Sequence, residues 1–171
     1  MIAIVAEDDL PDLLRLMHIE PVTEADIDEL LPLMRAYCDF YEVAPSDEAL
    51  TDIALALLDE PELEGVQLIA RDDDGQAVGF ATIFWCWSTL AAARIAVMND
   101  LFVSPAGRGG GYADALIEAC VDQARARGAA SVEWQTAKDN HRAQAVYERV
   151  GGRRSEWVDY SLPADTRPGE A

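Results

Sequence analysis

Arg108-Gly109-Gly110-Gly111-Tyr112-Ala113 is the stretch from which the rest of the chain is read. It follows the apolar run Leu101-Phe102-Val103 and opens a helical pattern from Ala113 to Arg127, so it is a glycine-rich turn from strand to helix. The first NH groups of such a helix have no intrahelical partners. The helix dipole adds partial positive charge there, and glycine lets an anion come close to the backbone. A phosphate-bearing ligand is the expectation. No Lys-Ser/Thr pair follows Gly111, which sets aside a Walker A loop. Tyr112 or Asp114 stands where a dinucleotide fingerprint needs its last Gly or Ala. Taken alone, these six residues suit equally well a turn that only reverses the chain.

Downstream residues decide between the two. Asn140, Ala143, Tyr147 and Val150 recur at helical spacing, so one face presents an amide and a phenol together. The same spacing also describes a core-facing helix with Asn140 as its cap, and both readings can hold because a buried Tyr hydroxyl still needs a partner. In order, Arg108-x-x-Gly111-x-Ala113, Trp134-x-Thr136 and Asn140-x-x-Ala143-x-x-x-Tyr147-x-x-x-Gly151 resemble the GNAT superfamily of acetyl-CoA-dependent N-acetyltransferases. The resemblance implies an α+β fold (α/β in looser terms) over residues 17–162, with a mixed central sheet flanked by helices. It also implies acetyl-CoA as acyl donor.

By that resemblance the backbone of Leu101, Phe102 and Val103 lies along the pantetheine arm, and one of its NH groups polarises the thioester carbonyl. Arg108, Gly109, Gly110, Gly111, Tyr112, Ala113 and Asp114 bind the pyrophosphate, Asn140 contacts the cofactor arm, and Tyr147 protonates the CoA thiolate. The last role suits a phenol, whose ordinary pKa of about 10 lies not far above the roughly 8.5 of a thiol. Diamine acetyltransferases carry a Glu-Asp pair before the strand at Leu101, whereas here the pair is Asn99-Asp100, and asparagine cannot accept a proton. Asp100 and Glu133 remain as bases, directly or through water, beside a solvent wire with no dedicated base. Each also has a plain structural reading, Asp100 bonded to nearby backbone and Glu133 on an exposed strand face. Two functions follow: an N-acetyltransferase acting on a primary amine of a small molecule or peptide, and a non-catalytic acyl-CoA-binding regulatory module. Tyr147 favours the first and Asn99 is the support for the second.

A length of 171 residues, half of them apolar, suits one domain with a sizeable core. Residues 1–16 are expected to be an N-terminal extension and residues 163–171 a loose tail around the 17–162 domain. Cys38, Cys86 and Cys120 are too few and too scattered for a disulfide framework, and His18 and His141 give little material for a metal site, so no metal is expected. With no basic leader and no long apolar segment, a soluble cytoplasmic protein is expected, without membrane contact.

The formal charge is −19, and it is unevenly spread. Residues 1–90 carry three arginines against 21 acids, while residues 91–171 carry ten Lys or Arg against 11 acids. A polyanionic cofactor suits the second half, and the first would steer a cationic amine acceptor and repel nucleic acid. General solubility accounts for the same acidity without any substrate. Acceptor recognition is assigned to Tyr37, Asp39, Phe40, Tyr41 and Glu42, and to Trp85 and Trp87 on one face of their strand, where an ammonium can lie over an indole. The tryptophans suit ordinary core or a homodimer contact as well.

The element pattern starts with a strand at Met17–Val22, then a helix from Thr23 and Asp26 through Ile27, Leu30, Leu31, Met34 and Tyr37, which Pro32 is expected to kink or divide. A second helix runs from Pro45-Ser46 to Leu58. Strands are expected at 66–71, 76–88, 94–103 and 131–136, and Trp157 to Leu162 is expected to close the sheet. Between them lie the helix with Leu116, Ile117, Cys120, Val121 and Ala124 inward, ended by Gly128, and the Asn140 helix.

Overall fold

Strand-length apolar runs build a five-stranded sheet in the computed structural model, which describes residues 17–165. The strands are β1 (His18–Pro21), β2 (Gly65–Arg71), β3 (Ala77–Ser88), β4 (Ala93–Val103) and β5 (Val132–Glu133), adjacent in that order. The first three pairings are antiparallel and β4 with β5 is parallel, so the sheet is mixed, as expected for an α+β fold. Among the described residues, four helices cover it. α1 (Ile27–Phe40) and α2 (Asp47–Asp59) bury Leu30, Leu33, Met34, Leu50 and Ala54 against Ile69, Phe80 and Phe102. On the other face α3 (Tyr112–Ala126) buries Leu116, Ile117, Cys120 and Ala124 against Leu68, Ala81, Ile83, Ala96 and Met98. α4 (His141–Arg149) lays Val146 and Tyr147 against that second core. Coverage on both faces explains why β2 is an unbroken buried run. The expected extension at 1–16 and the last six residues of the tail lie outside the described residues; 163–165 form neither helix nor strand.

Three expectations are corrected. Pro32 does not divide α1, which runs through it. The NH that proline lacks would have bonded the carbonyl of Asp28, a solvent-exposed residue in the first turn, and core anchors stand on both sides of it at Leu30, Leu33 and Met34. The strand expected at 131–136 shrinks to Val132 and Glu133, paired only with Ala96 and Val97. A bulge in β4 is the cause: Thr82 faces Asp100 and Ile83 faces Met98, so Asn99 is an extra residue that bends β4 away from its neighbour. Trp157 to Leu162 does not close the sheet. It runs as irregular chain with Trp157 83% and Tyr160 94% exposed, touching the body through the Gln135 amide that donates to Asp159 at 2.6 Å. A two-residue β5 offers too short an edge for its alternating pattern to pair with.

Candidate active site

The bulge creates the site's main feature. Among the described residues no strand pairs with the outer edge of β4 beyond Val97, so main-chain groups of Asn99 to Val103 on that side are available to an extended, amide-bearing ligand. Side chains hold this segment in place: Phe102 is buried towards α1, and Leu101 and Val103 pack against the α3 core.

The glycine turn lies just after that edge. Pro105–Gly107 forms a single 3-10 turn, after which Gly109 and Gly111 take φ of 85° and 80°, left-handed values that suit glycine. Nothing lies within 4 Å of where a Gly109 Cβ would stand, so the turn is open on that side. The Ala115 NH is the one that closes onto Gly111, at 3.1 Å, which places the NH groups of Tyr112, Ala113 and Asp114 ahead of the helical ladder. Arg108 is exposed and, among the described residues, pairs with no acid. The Tyr112 ring packs across Gly110, where a Cβ would come within 2.7 Å of it. Asp114 is a carboxylate at a proposed anion site, but Arg149 neutralises it through two bonds of 2.9 and 2.7 Å. Only its backbone NH is left to face a phosphate. The same fork ties α4 to the start of α3.

Asn140 caps α4 by accepting from the Ala143 NH at 3.2 Å, leaving its amide NH2 for another partner. Seven residues on, Tyr147 is fixed from several sides. Gly151, at φ 87°, ends the helix in a Schellman motif whose Gly152 NH bonds the Tyr147 carbonyl at 2.8 Å. Trp134 packs edge-on against the Tyr147 ring at 5.4 Å, and Thr136 lies near its hydroxyl. Burial, with Tyr41 as a smaller contributor, holds this phenol above its ordinary range, so it keeps its proton at neutral pH.

Between the end of α1 and the start of α4 opens a cleft of about 350 Å³, lined by Phe40, Tyr41, Ala137, Asp139 and Asn140. Asp100, on β4, is half-buried; the Asn99 amide donates to it at 3.0 Å, Thr82 faces it across the β3–β4 register, and Tyr37 is a further neighbour. Burial raises its carboxyl above the ordinary range despite these polar neighbours. Glu133 is exposed on β5 and accepts from the Ser131 hydroxyl at 3.1 Å, with no comparable surroundings. Asp39 and Glu42 are exposed beside the cleft-lining Phe40 and Tyr41. The tryptophans are not a shared platform: Trp85 is buried under the Arg127 guanidinium at 4.8 Å, while Trp87 is 75% exposed with Arg94 over it. Each indole already has one arginine over it. Thr82 was not anticipated as part of the site, because only the β3–β4 register brings it opposite Asp100. Among the described residues no three His, Cys, Asp or Glu side chains stand together to hold a metal.

This arrangement has counterparts. Residues 30–152 match the acetyltransferase (GNAT) family model. An uncharacterised N-acetyltransferase of Bacillus subtilis (strain 168), YhfO, is 32% identical over 135 residues, 79% of this chain and 89% of that protein. A crystal structure of a probable acetyltransferase superposes with a TM-score of 0.76 at 29% identity, covering 88% of this chain and 99% of that one. The aminoglycoside N-acetyltransferase AAC(6')-Iy in complex with CoA shares the fold, with a TM-score of 0.72 at 22% identity over 86% of this chain and 95% of that one. The open β4 edge, the glycine turn and the family match together establish that the chain belongs to the GNAT acetyltransferase family and is an acetyltransferase.

Proposed function

We propose that the protein transfers an acetyl group from acetyl-CoA to a primary amine of a small molecule or peptide, with cationic acceptors preferred. The observation that carries this is the succession of three parts: a β4 edge left unpaired among the described residues, an open NH-lined turn at its end, and a proton-bearing Tyr147 packed on Trp134 just after β5. The residues fit the donor. The amides of Leu101 to Val103 match a pantetheine arm, the NH groups from Gly109 to Asp114 match a pyrophosphate, and Arg108 adds a mobile cation. Asn140 turns its spare amide NH2 to the arm. Family neighbours with CoA bound support the choice.

Acetyl-CoA supplies an activated acyl carbon and a thiolate leaving group. The chain supplies the rest. A backbone NH of the β4 edge stabilises charge on the carbonyl oxygen, Asp100 takes up the proton that the acceptor must lose, and Tyr147 gives a proton to the departing sulfur. Asp100 is preferred to Glu133 because only Asp100 combines burial, a raised carboxyl and Tyr37 as a neighbour, whose own neighbour Tyr41 lines the cleft. The acceptor reaches it past Phe40, Tyr41 and Asp139, an aromatic and acidic lining suited to an ammonium. The strongly acidic first ninety residues raise the local concentration of such amines. The setting is cytoplasmic in this reading, where the free thiols Cys38, Cys86 and Cys120 stay reduced. No described helix is long and apolar enough to cross a membrane.

The reading is tested by free-thiol release from acetyl-CoA across a panel of monoamines, polyamines, aminoglycosides and peptides. Release that depends on the amine, with cationic acceptors fastest, is expected. Release unaffected by any amine would oppose it. Asp100→Asn gives a second check with two readouts. Because burial raises its carboxyl, Asp100 adds stability at pH below the ordinary carboxylate range, and that contribution is lost as pH rises through the raised value. Asp100→Asn should therefore melt at a higher temperature than the parent at pH 8, while its turnover falls by roughly 10²-fold. A lower melting temperature with full activity would show the carboxylate to be structural.

A further inference from the structure

We infer that Tyr37 and Tyr41 form a two-phenol relay that carries the acceptor's proton from the cleft to Asp100. The inference rests on the acyl-transfer reading above and gives its buried base a route to the substrate.

Tyr37 is in the last turn of α1 and Tyr41 caps its C-terminus four residues on, so the two lie on one side of the helix end. Their rings meet edge-on with centroids 5.0 Å apart. Tyr41 is exposed and lines the cleft. Tyr37 lies behind it, walled by Phe80 at 5.9 Å and Phe102 at 6.3 Å, with its hydroxyl near Tyr41 on one side and Asp100 on the other. Asp100 has three polar neighbours, and two of them lead nowhere. Asn99, which donates to it at 3.0 Å, is on its own strand, and Thr82 is buried opposite it, accepting from the Gln67 amide at 3.2 Å. Tyr37 is the neighbour that leads out to the cleft. No charged side chain among the described residues acts on Asp100; the titratable groups on this line are Tyr37, from α1, and then Tyr41, its C-cap. Tyr41 is also a neighbour of Tyr147, so the base and acid arms meet at the cleft.

The proton count closes. An amine arrives at neutral pH as an ammonium, without the lone pair needed for attack. One N–H bond breaks as its proton passes to the Tyr41 oxygen, the Tyr41 proton passes to Tyr37, and the Tyr37 proton forms an O–H bond on the Asp100 carboxylate. Each phenol ends with one proton, and nothing is oxidised or reduced. After product leaves, the proton returns to solvent by the reverse hops. The proton given to the thiolate by Tyr147 is a separate one.

Tyr37→Phe keeps the ring that packs on Phe80 and Phe102 and deletes the hydroxyl. Carbon-13 NMR titration of the Asp100 carboxyl, without donor or acceptor, should show it titrating at higher pH in the variant, because a hydroxyl able to hydrogen-bond its charged form is gone. In turnover, kcat should fall roughly 10- to 100-fold and the acidic limb of kcat/KM should move to higher pH, with acetyl-CoA affinity unchanged. Tyr41→Phe should cost a similar factor in kcat. The double variant should fall no further than either single one, since one break interrupts the whole relay. An unmoved Asp100 titration would overturn the contact itself, independently of whether acyl transfer occurs. Unmoved rate limbs, or losses that multiply in the double variant, would overturn the relay while leaving the acetyltransferase reading in place.

Discussion

Tyr147→Phe is expected to lower kcat by roughly 10² to 10⁴-fold while acetyl-CoA affinity stays within about twofold. The substitution keeps the ring, its edge-on contact with Trp134 and the Schellman bond to its carbonyl, and removes only the hydroxyl, which lies near Thr136. A residual rate is expected from positioning alone. Steady-state thiol release with the best acceptor, beside calorimetric titration of the same variant, measures both quantities. Unchanged kcat with chemistry rate-limiting would make Tyr147 a packing residue and leave thiolate protonation to water.

The glycine turn gives the second large effect, and the structure supplies its control. Gly109 is left-handed but opens onto free space, so a side chain there meets strain and no clash. Asn and Asp tolerate that conformation best among residues with a Cβ and are nearly the same size. Gly109→Asp should weaken acetyl-CoA binding by roughly 100-fold, about 2.7 kcal/mol, because it sets a charge beside the pyrophosphate. Gly109→Asn should weaken it by no more than about tenfold, the cost of strain and lost approach. Calorimetry on the pair separates charge from shape, and equal affinities in the two variants would remove the phosphate from this turn. Gly111 is less suitable, since a Cβ there would stand 3.1 Å from the Met17 methyl.

Local signals made much of this legible. The turn glycines, the helical spacing of Asn140 to Tyr147 and the stop at Gly151 are short-range patterns, and the structure places each at its expected element. What was hidden depends on pairing between distant residues. Nothing in Met98-Asn99-Asp100 announces that Asn99 is the bulged residue, because the register comes from β3. Yet that bulge shortens β5, opens the β4 edge and leaves Trp157 to Leu162 with too little strand to join. Tyr37 and Tyr41 were visible as an aromatic pair near the acceptor. Their connection to Asp100 follows only once α1 is laid across β4. For Trp85 and Trp87, alternation located a shared face without showing that Arg127 and Arg94 already occupy it.

The most direct test of the central claim is a single reaction: purified protein, acetyl-CoA and the best amine of the panel, followed by mass spectrometry of the amine and a count of free thiol. The account predicts one acetylated amine for each thiol released, with both lost together in Tyr147→Phe. Thiol released without acetylated amine, or acetyl-CoA bound with neither product formed, would contradict it.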